Sequence, residues 1–150
     1  MGGVMGMCLC NDRRWPETWR VMGMQDVDIV MLGYNTPVYN SIAPESPHLR
    51  MFHNHISMQA GAYQNGTWAV GTAKAGMEGG VDMMAGSCII APTGEIVALA
   101  TTSEDEVIVA ECDLDKGRYI RDTVFNFAQH RRIENYGVIT ERTEAIAPPE

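Results

Sequence analysis

The stretch VMGMCLCNDRRWPETWRVMGMQDVDIVMLG, residues 4–33, decides how this chain folds. Two short apolar runs, VMGMCLC at 4–10 and VDIVMLG at 27–33, flank PETWRVMGMQ at 16–25, which reads as a short helix. Each run is bounded by glycine or polar residues and is too short for a helix of its own, the pattern of a buried strand. Pro16 suits the first helical position, because the N–H that proline lacks would have no intrahelical partner there. Strand, short helix, strand is a βαβ unit, so the strands are predicted to be parallel and joined by a right-handed crossover. Their C-terminal ends then share one edge. Cys10 closes the first strand, and Tyr34, Asn35 and Thr36 follow the second. Positions far apart in sequence thus converge at the kind of edge where open α/β sheets bind ligands.

Outward from this unit, TPVYNSIAPESP at 36–47 carries three prolines and reads as a loop. HLRMFHNHISMQAGAYQ at 48–64 reads as a longer helix with Leu49, Phe52, Ile56 and Tyr63 along one face. TWAVGTA (67–73), SCIIA (87–91), IVALA (96–100) and VIVAECD (107–113) are β-rich, and PTGE at 92–95 predicts an antiparallel hairpin between the second and third. The Gly-rich KAGMEGGVDMMAG at 74–86 reads as an ordered surface loop, and LDKGRYIRDTVFNFAQH at 114–130 as a last helix. The tail beyond it is Arg-rich, ends in prolines, and is expected to cross another element or subunit, with 141–150 flexible. No internal repeat is present.

Composition narrows the function classes. With 150 residues, 45% hydrophobic and 20% charged, the chain is long and apolar enough for one globular domain. Nineteen acidic against 11 basic residues give a net charge of -8 without a single-sign block, which argues against a nucleic-acid-binding face. Cysteines 8, 10, 88 and 112 form no CxxC pair, so neither a disulfide scaffold nor a zinc ribbon is expected, and free thiols in a reducing compartment are the simpler reading. The first ten residues lack the basic region and cleavage site of a signal peptide, and no apolar run approaches the ~20 residues that span a bilayer. The expectation is a cytoplasmic protein that does not engage membranes.

The chemistry concentrates in CNDRRWPE, residues 10–17. A cysteine at a strand end, before a helix N-terminus and beside two arginines, has several reasons to exist as a thiolate. A tight strand-to-helix turn also projects such a side chain into open space, as in a nucleophile elbow. Cys10 therefore reads as a nucleophile or, alternatively, as a buried structural cysteine; Cys8, two residues earlier on the same side of the strand, takes the structural reading. Arg13 and Arg14 suit bidentate capture of a carboxylate, or else pair with Asp12, Glu17 or a partner chain. Asn35 and Thr36 either hydrogen-bond a ligand or form the turn before Pro37. His48, His53 and His55 are helix-face or interface residues on this reading: positions two apart diverge on a helix, which disfavours a shared metal, and nothing points to a Cys–His dyad.

The segments MGMCLCNDRRWPE, GYNTP, SMQAGAYQNGTW, SCIIAPTGEIVAL and FNFAQHRR, in this order, resemble the carbon–nitrogen hydrolase (nitrilase) superfamily. The double arginine after the cysteine is similar to its N-carbamoyl-D-amino-acid amidohydrolase branch. The resemblance implies an α/β fold, part of a four-layer α-β-β-α sandwich, working as a homo-oligomer of two or four copies without metal or other cofactor. It implies a hydrolase of carbon–nitrogen bonds other than peptide bonds, acting on a small carbamoyl or amide substrate through a Glu, Lys and Cys trio. Cys10 falls on the nucleophile. Arg13 and Arg14 match residues that hold the substrate carboxylate, with Asn11, Asn35 and Thr36 lining the same pocket and the Asn11 N–H a candidate oxyanion donor. In the family the Glu and Lys precede the cysteine, and neither Lys74 nor Lys116 matches that lysine. The chain is accordingly expected to be the C-terminal half of one catalytic domain, inactive by itself. A β-ureidopropionase-like amidase and a non-catalytic remnant are the alternatives.

Overall fold

The N-terminal βαβ reading holds. In the computed structural model, which describes residues 2–148, β1 (Met5–Leu9) and β2 (Ile29–Tyr34) pair in parallel, with Met5 opposite Ile29 and Leu9 opposite Gly33. Helix α1 (Pro16–Gly23) forms the crossover and has proline in its first turn. Between β1 and α1, Cys10–Arg14 make a 3-10 turn.

Helix α2 (Pro47–Asn65) leads to β3 (Trp68–Ala73), parallel to β2. Ser46 caps α2 by accepting the Leu49 N–H, and Gly66, left-handed at φ 58°, ends it. After a hairpin of β4 (Ala75–Glu78) and β5 (Val81–Met84), β6 (Cys88–Ile90) and β7 (Ile96–Leu99) add antiparallel strands. The resulting mixed sheet has the order β1-β2-β3-β6-β7. The chain continues through α3 (Lys116–Asp122), α4 (Phe127–His130) and α5 (Gly137–Glu141). Among the described residues no helix is long and apolar enough to cross a membrane.

Alternation along the strands divides the apolar side chains between the two faces of the sheet. On one face Cys8, Val30, Leu32, Tyr34, Ala69, Cys88 and Ile90 pack against Trp19 and Met22 of α1 and Met58 and Ala62 of α2. On the other, Trp68, Ile89 and Ala91 form a second cluster. Over β1 that second face is bare: Met5, Met7 and Leu9 are all exposed, Met7 at 76%. The first strand is therefore half-buried at a sheet edge, not buried on both faces as its apolar run suggests.

Four other expectations change. Residues 107–113 form no strand; the extended segment lays Ile108, Ala110, Cys112 and Leu114 on the second cluster, and the Trp68 Nε1–H donates to the Asp113 carbonyl at 2.8 Å. Alternation reports a half-buried extended chain and does not by itself supply a hydrogen-bonded neighbour. The 74–86 loop is instead the β4–β5 hairpin, turned by Gly79 and Gly80 at φ 57° and 83°, the double positive φ that a tight two-residue turn requires. The 114–130 helix breaks into α3 and α4, where Asn126 caps the second piece by accepting the Gln129 N–H. On α2, Leu49, Phe52 and Ile56 point outward while Arg50, Asn54, Met58, Gly61 and Ala62 face inward. Close approach decides this, because a Cβ on Gly61 would stand 2.3 Å from the Trp19 ring.

Candidate active site

The C-terminal edge of β1 and β2 gathers the chemistry. Cys10 leaves β1 in the left-handed region at φ 45°, a conformation that costs a non-glycine residue about 1–3 kcal/mol and persists where surroundings enforce it. The turn is held from several sides. The Leu9 N–H donates to the Asp12 carboxylate at 3.1 Å, and the indole N–H of Trp19 donates to the Arg13 carbonyl at 2.8 Å. This turn throws Cys10 out of the core that holds Cys8, so the two thiols do not face the same way. The Cys10 Sγ lies 3.9 Å from Asn35 Oδ1, across the β1–β2 edge.

Cys10 is also the one exposed thiol of the four. Burial pushes the thiols of Cys8, Cys88 and Cys112 up, that of Cys88 to about 12, so at neutral pH these three are protonated and poor nucleophiles.

Arg13 is turned inward. It is 1% exposed, and each of its three guanidinium nitrogens has a partner within the chain. Nε donates to Asn54 Oδ1 at 2.8 Å, one terminal nitrogen to the Cys10 carbonyl and the other to Thr36 Oγ1 at 2.8 Å, while the Tyr34 ring lies 4.1 Å beneath. So engaged and buried, this guanidinium is turned into the chain and not toward the exposed side of Cys10. Burial lowers the Arg13 pKa, and the nearby Arg14 charge lowers it further.

Arg14 is different. It is half-buried, sits at the same turn, and has no carboxylate partner among the described residues. Asn11 and Asn35 are exposed beside Cys10, whereas Thr36 is buried and serves Arg13. The histidines lie elsewhere: His53 pairs with Glu45 at 2.5 Å and His55 meets the Gly86 carbonyl at 3.2 Å. Among the described residues no group of three His, Cys, Asp or Glu side chains is arranged to hold a metal ion. A cavity of about 400 Å³ between α1 and the C-terminal segment, lined by Arg20, Arg131, Tyr136 and Ile139, includes none of the Cys10 group.

Sequence reasoning missed two contributors, Asn54 and the hydroxyl of Tyr34. Asn54 Nδ2 donates to that hydroxyl at 3.3 Å, which in turn donates to the Gly86 carbonyl at 3.2 Å. The available signal was an asparagine four residues after Arg50 on one helix stripe, which pattern reading takes as solvent-facing.

The carbon-nitrogen hydrolase profile matches residues 1–122. An N-carbamoylputrescine amidase of Oryza sativa subsp. japonica is 29% identical over 144 residues, covering 91% of this chain and 46% of that enzyme. A nitrilase of Pyrococcus abyssi is 27% identical over 132 residues, covering 88% of this chain and 45% of that protein. A carbon-nitrogen hydrolase structure from Helicobacter pylori G27 superposes with a TM-score of 0.80 at 23% identity, over 93% of this chain and 50% of that one. The chain spans about half the length of the curated relatives it matches. With its mixed α/β fold and a profile match over most of its length, the chain belongs to the carbon-nitrogen hydrolase family.

Proposed function

We propose that this chain supplies the nucleophile half of an active site that hydrolyses N-carbamoyl-D-amino acids to D-amino acids, ammonia and carbon dioxide. The observation that carries the reading is Cys10, exposed in a left-handed elbow beside Asn11, Arg14 and Asn35. The Cys10 sulfur would attack the carbamoyl carbon, with the Asn11 N–H facing the developing oxyanion. The carbon–nitrogen bond to the amino acid then breaks as that nitrogen takes a proton, leaving a carbamoyl thioester. Water releases carbamic acid from the sulfur, and this falls apart to ammonia and carbon dioxide.

Arg14 is the carboxylate reader in this proposal, since Arg13 is committed inside the chain. A cationic group at that position favours an N-carbamoyl acid over a carbamoylated diamine, whose far end is itself positive. The D configuration rests on the resemblance of CNDRRWPE alone. Proton transfer to the leaving nitrogen and activation of water, typically worth about 10²–10⁴-fold, are assigned to a Glu and a Lys outside these 150 residues. Lys74 pairs loosely with Glu78 on the hairpin and Lys116 stands over the Trp68 ring, so neither is among the contacts of Cys10.

The test is ammonia release from N-carbamoyl-D-amino acids, their L isomers and the matching carboxamides. It compares the chain alone with the chain mixed with the preceding half of a related enzyme. Cys10-dependent turnover of the D acids by the mixture alone is the expected result. Turnover by the chain alone would place a base and an acid within it, and preference for the carboxamides would remove Arg14 from its role.

A further inference from the structure

We propose that Asn54 is a positioning residue for the Cys10 centre, acting through the guanidinium of Arg13; this rests on Cys10 being the nucleophile. Asn54 is 0% exposed and lies on the inward stripe of α2, where burying an amide is costly unless its polar atoms are satisfied. Both are. Its Oδ1 accepts from Arg13 Nε at 2.8 Å and its Nδ2 donates to the Tyr34 hydroxyl at 3.3 Å. The amide can sit only one way round, because the flipped rotamer would set an NH₂ group against the Arg13 N–H.

The consequence runs through a rigid plane. A guanidinium held at Nε by Asn54, at one terminal nitrogen by Thr36 at 2.8 Å, and on its face by the Tyr34 ring has one direction left for its other terminal nitrogen. That direction is the carbonyl of Cys10. In a trans peptide the C=O and the following N–H point to opposite sides of the same plane. Drawing the Cys10 carbonyl inward toward buried Arg13 therefore turns the Asn11 N–H outward, to the side where the Cys10 sulfur is exposed. Asn54, on a different element and 44 positions along the chain, thereby sets the direction of the oxyanion donor. It touches no substrate.

Two electrophiles separate this role from a structural one. Alkylation of a thiol by iodoacetamide displaces iodide and develops no oxyanion, whereas acylation by p-nitrophenyl acetate passes through a tetrahedral oxyanion. Both rates are measured at Cys10 on the 150-residue chain, with the fully buried Cys88 as the reporter of an intact core. Asn54→Leu should slow p-nitrophenyl acetate acylation by tenfold or more, while iodoacetamide alkylation changes less than about threefold; removal of an oxyanion donor outright costs about 10²–10³-fold. Arg13→Lys, which keeps the charge but not the fork, should show the same selectivity, and it decides the matter if Asn54→Leu exposes Cys88. Equal responses of the two electrophiles, or none, in a variant that keeps Cys88 protected would overturn the positioning role and leave Cys10 as nucleophile. A wild-type Cys10 no more reactive toward iodoacetamide than Cys112 would overturn the nucleophile reading and this inference with it.

Discussion

Replacing Gly61 with alanine tests whether the packing of α1 on α2 governs the nucleophile turn. A Cβ at position 61 would stand 2.3 Å from Trp19 Cδ2 and 2.4 Å from Cε2. Carbon atoms rest at about 3.5–4.0 Å, so the indole must retreat by more than about 1 Å. It has nowhere to go: Trp19 is 2% exposed and its Nε1–H is bonded to the Arg13 carbonyl at 2.8 Å. Overpacking of this kind costs about 1–3 kcal/mol, and the severity of the overlap argues for the upper end. Alanine recovers about 1 kcal/mol of helix propensity over glycine, leaving a net loss of about 2 kcal/mol. Urea unfolding followed by tryptophan fluorescence measures this, with Gly33→Ala as the reference, since a Cβ there meets nothing within 4 Å. That reference should change stability by less than about 0.5 kcal/mol. The p-nitrophenyl acetate acylation rate at Cys10 should fall in Gly61→Ala alone, because the displaced indole pulls on the Arg13 carbonyl and with it the turn that orients the Asn11 N–H. A Gly61→Ala chain as stable as the wild type would refute the packing argument, and a destabilised chain with unchanged Cys10 acylation would refute its coupling to the turn.

The carboxylate of Asp28 gives a pH dependence. Burial opposes its ionisation, but the Val4 N–H at 2.9 Å and the Arg121 guanidinium at 3.1 Å outweigh that and hold its pKa below the usual carboxylate range. Its stabilisation is therefore fully present above the unfolded value of about 3.9 and is lost as pH falls through the lower folded value; Asp28→Asn should cost about 1.5–3 kcal/mol at neutral pH in urea titrations and flatten the acid side of the stability profile. Arg14→Lys in the reconstituted enzyme should raise KM for N-carbamoyl acids about tenfold and leave that for the matching carboxamides within about twofold, measured as initial rates of ammonia release. Met7→Lys, at a position 76% exposed on the bare sheet face, should alter stability by less than about 0.5 kcal/mol yet shift sedimentation of the isolated chain toward monomer.

The placement of the candidate site is legible in the sequence because it is local. Cys10, its turn and Pro16 are consecutive or nearly so, and the βαβ rule places Asn35 and Thr36 beside them without any knowledge of the rest of the chain. Arg13 and Arg14 were not separable in this way. Adjacent arginines in one turn have the same composition and charge, and only the position of α2 shows that Arg13 has partners in Asn54 and Thr36 while Arg14 is left free of carboxylates among the described residues.

Strand period, proline at a helix start and paired glycines act through backbone geometry over a few residues, so they determine β1, α1, β2 and the positive-φ turn at Gly79–Gly80 wherever the chain goes next. Which face of α2 turns inward is a different matter. The apolar residues Leu49, Phe52 and Ile56 outweigh Arg50 and Asn54 on any hydropathy reading, yet the polar stripe is buried. The cost of burying Asn54 depends on whether a partner waits at hydrogen-bond distance, and whether a helix can approach depends on a gap the size of one Cβ at Gly61. For Asn54 against Arg13 and Gly61 against Trp19, both are properties of three-dimensional contact between segments more than 40 positions apart, which only the tertiary structure decides.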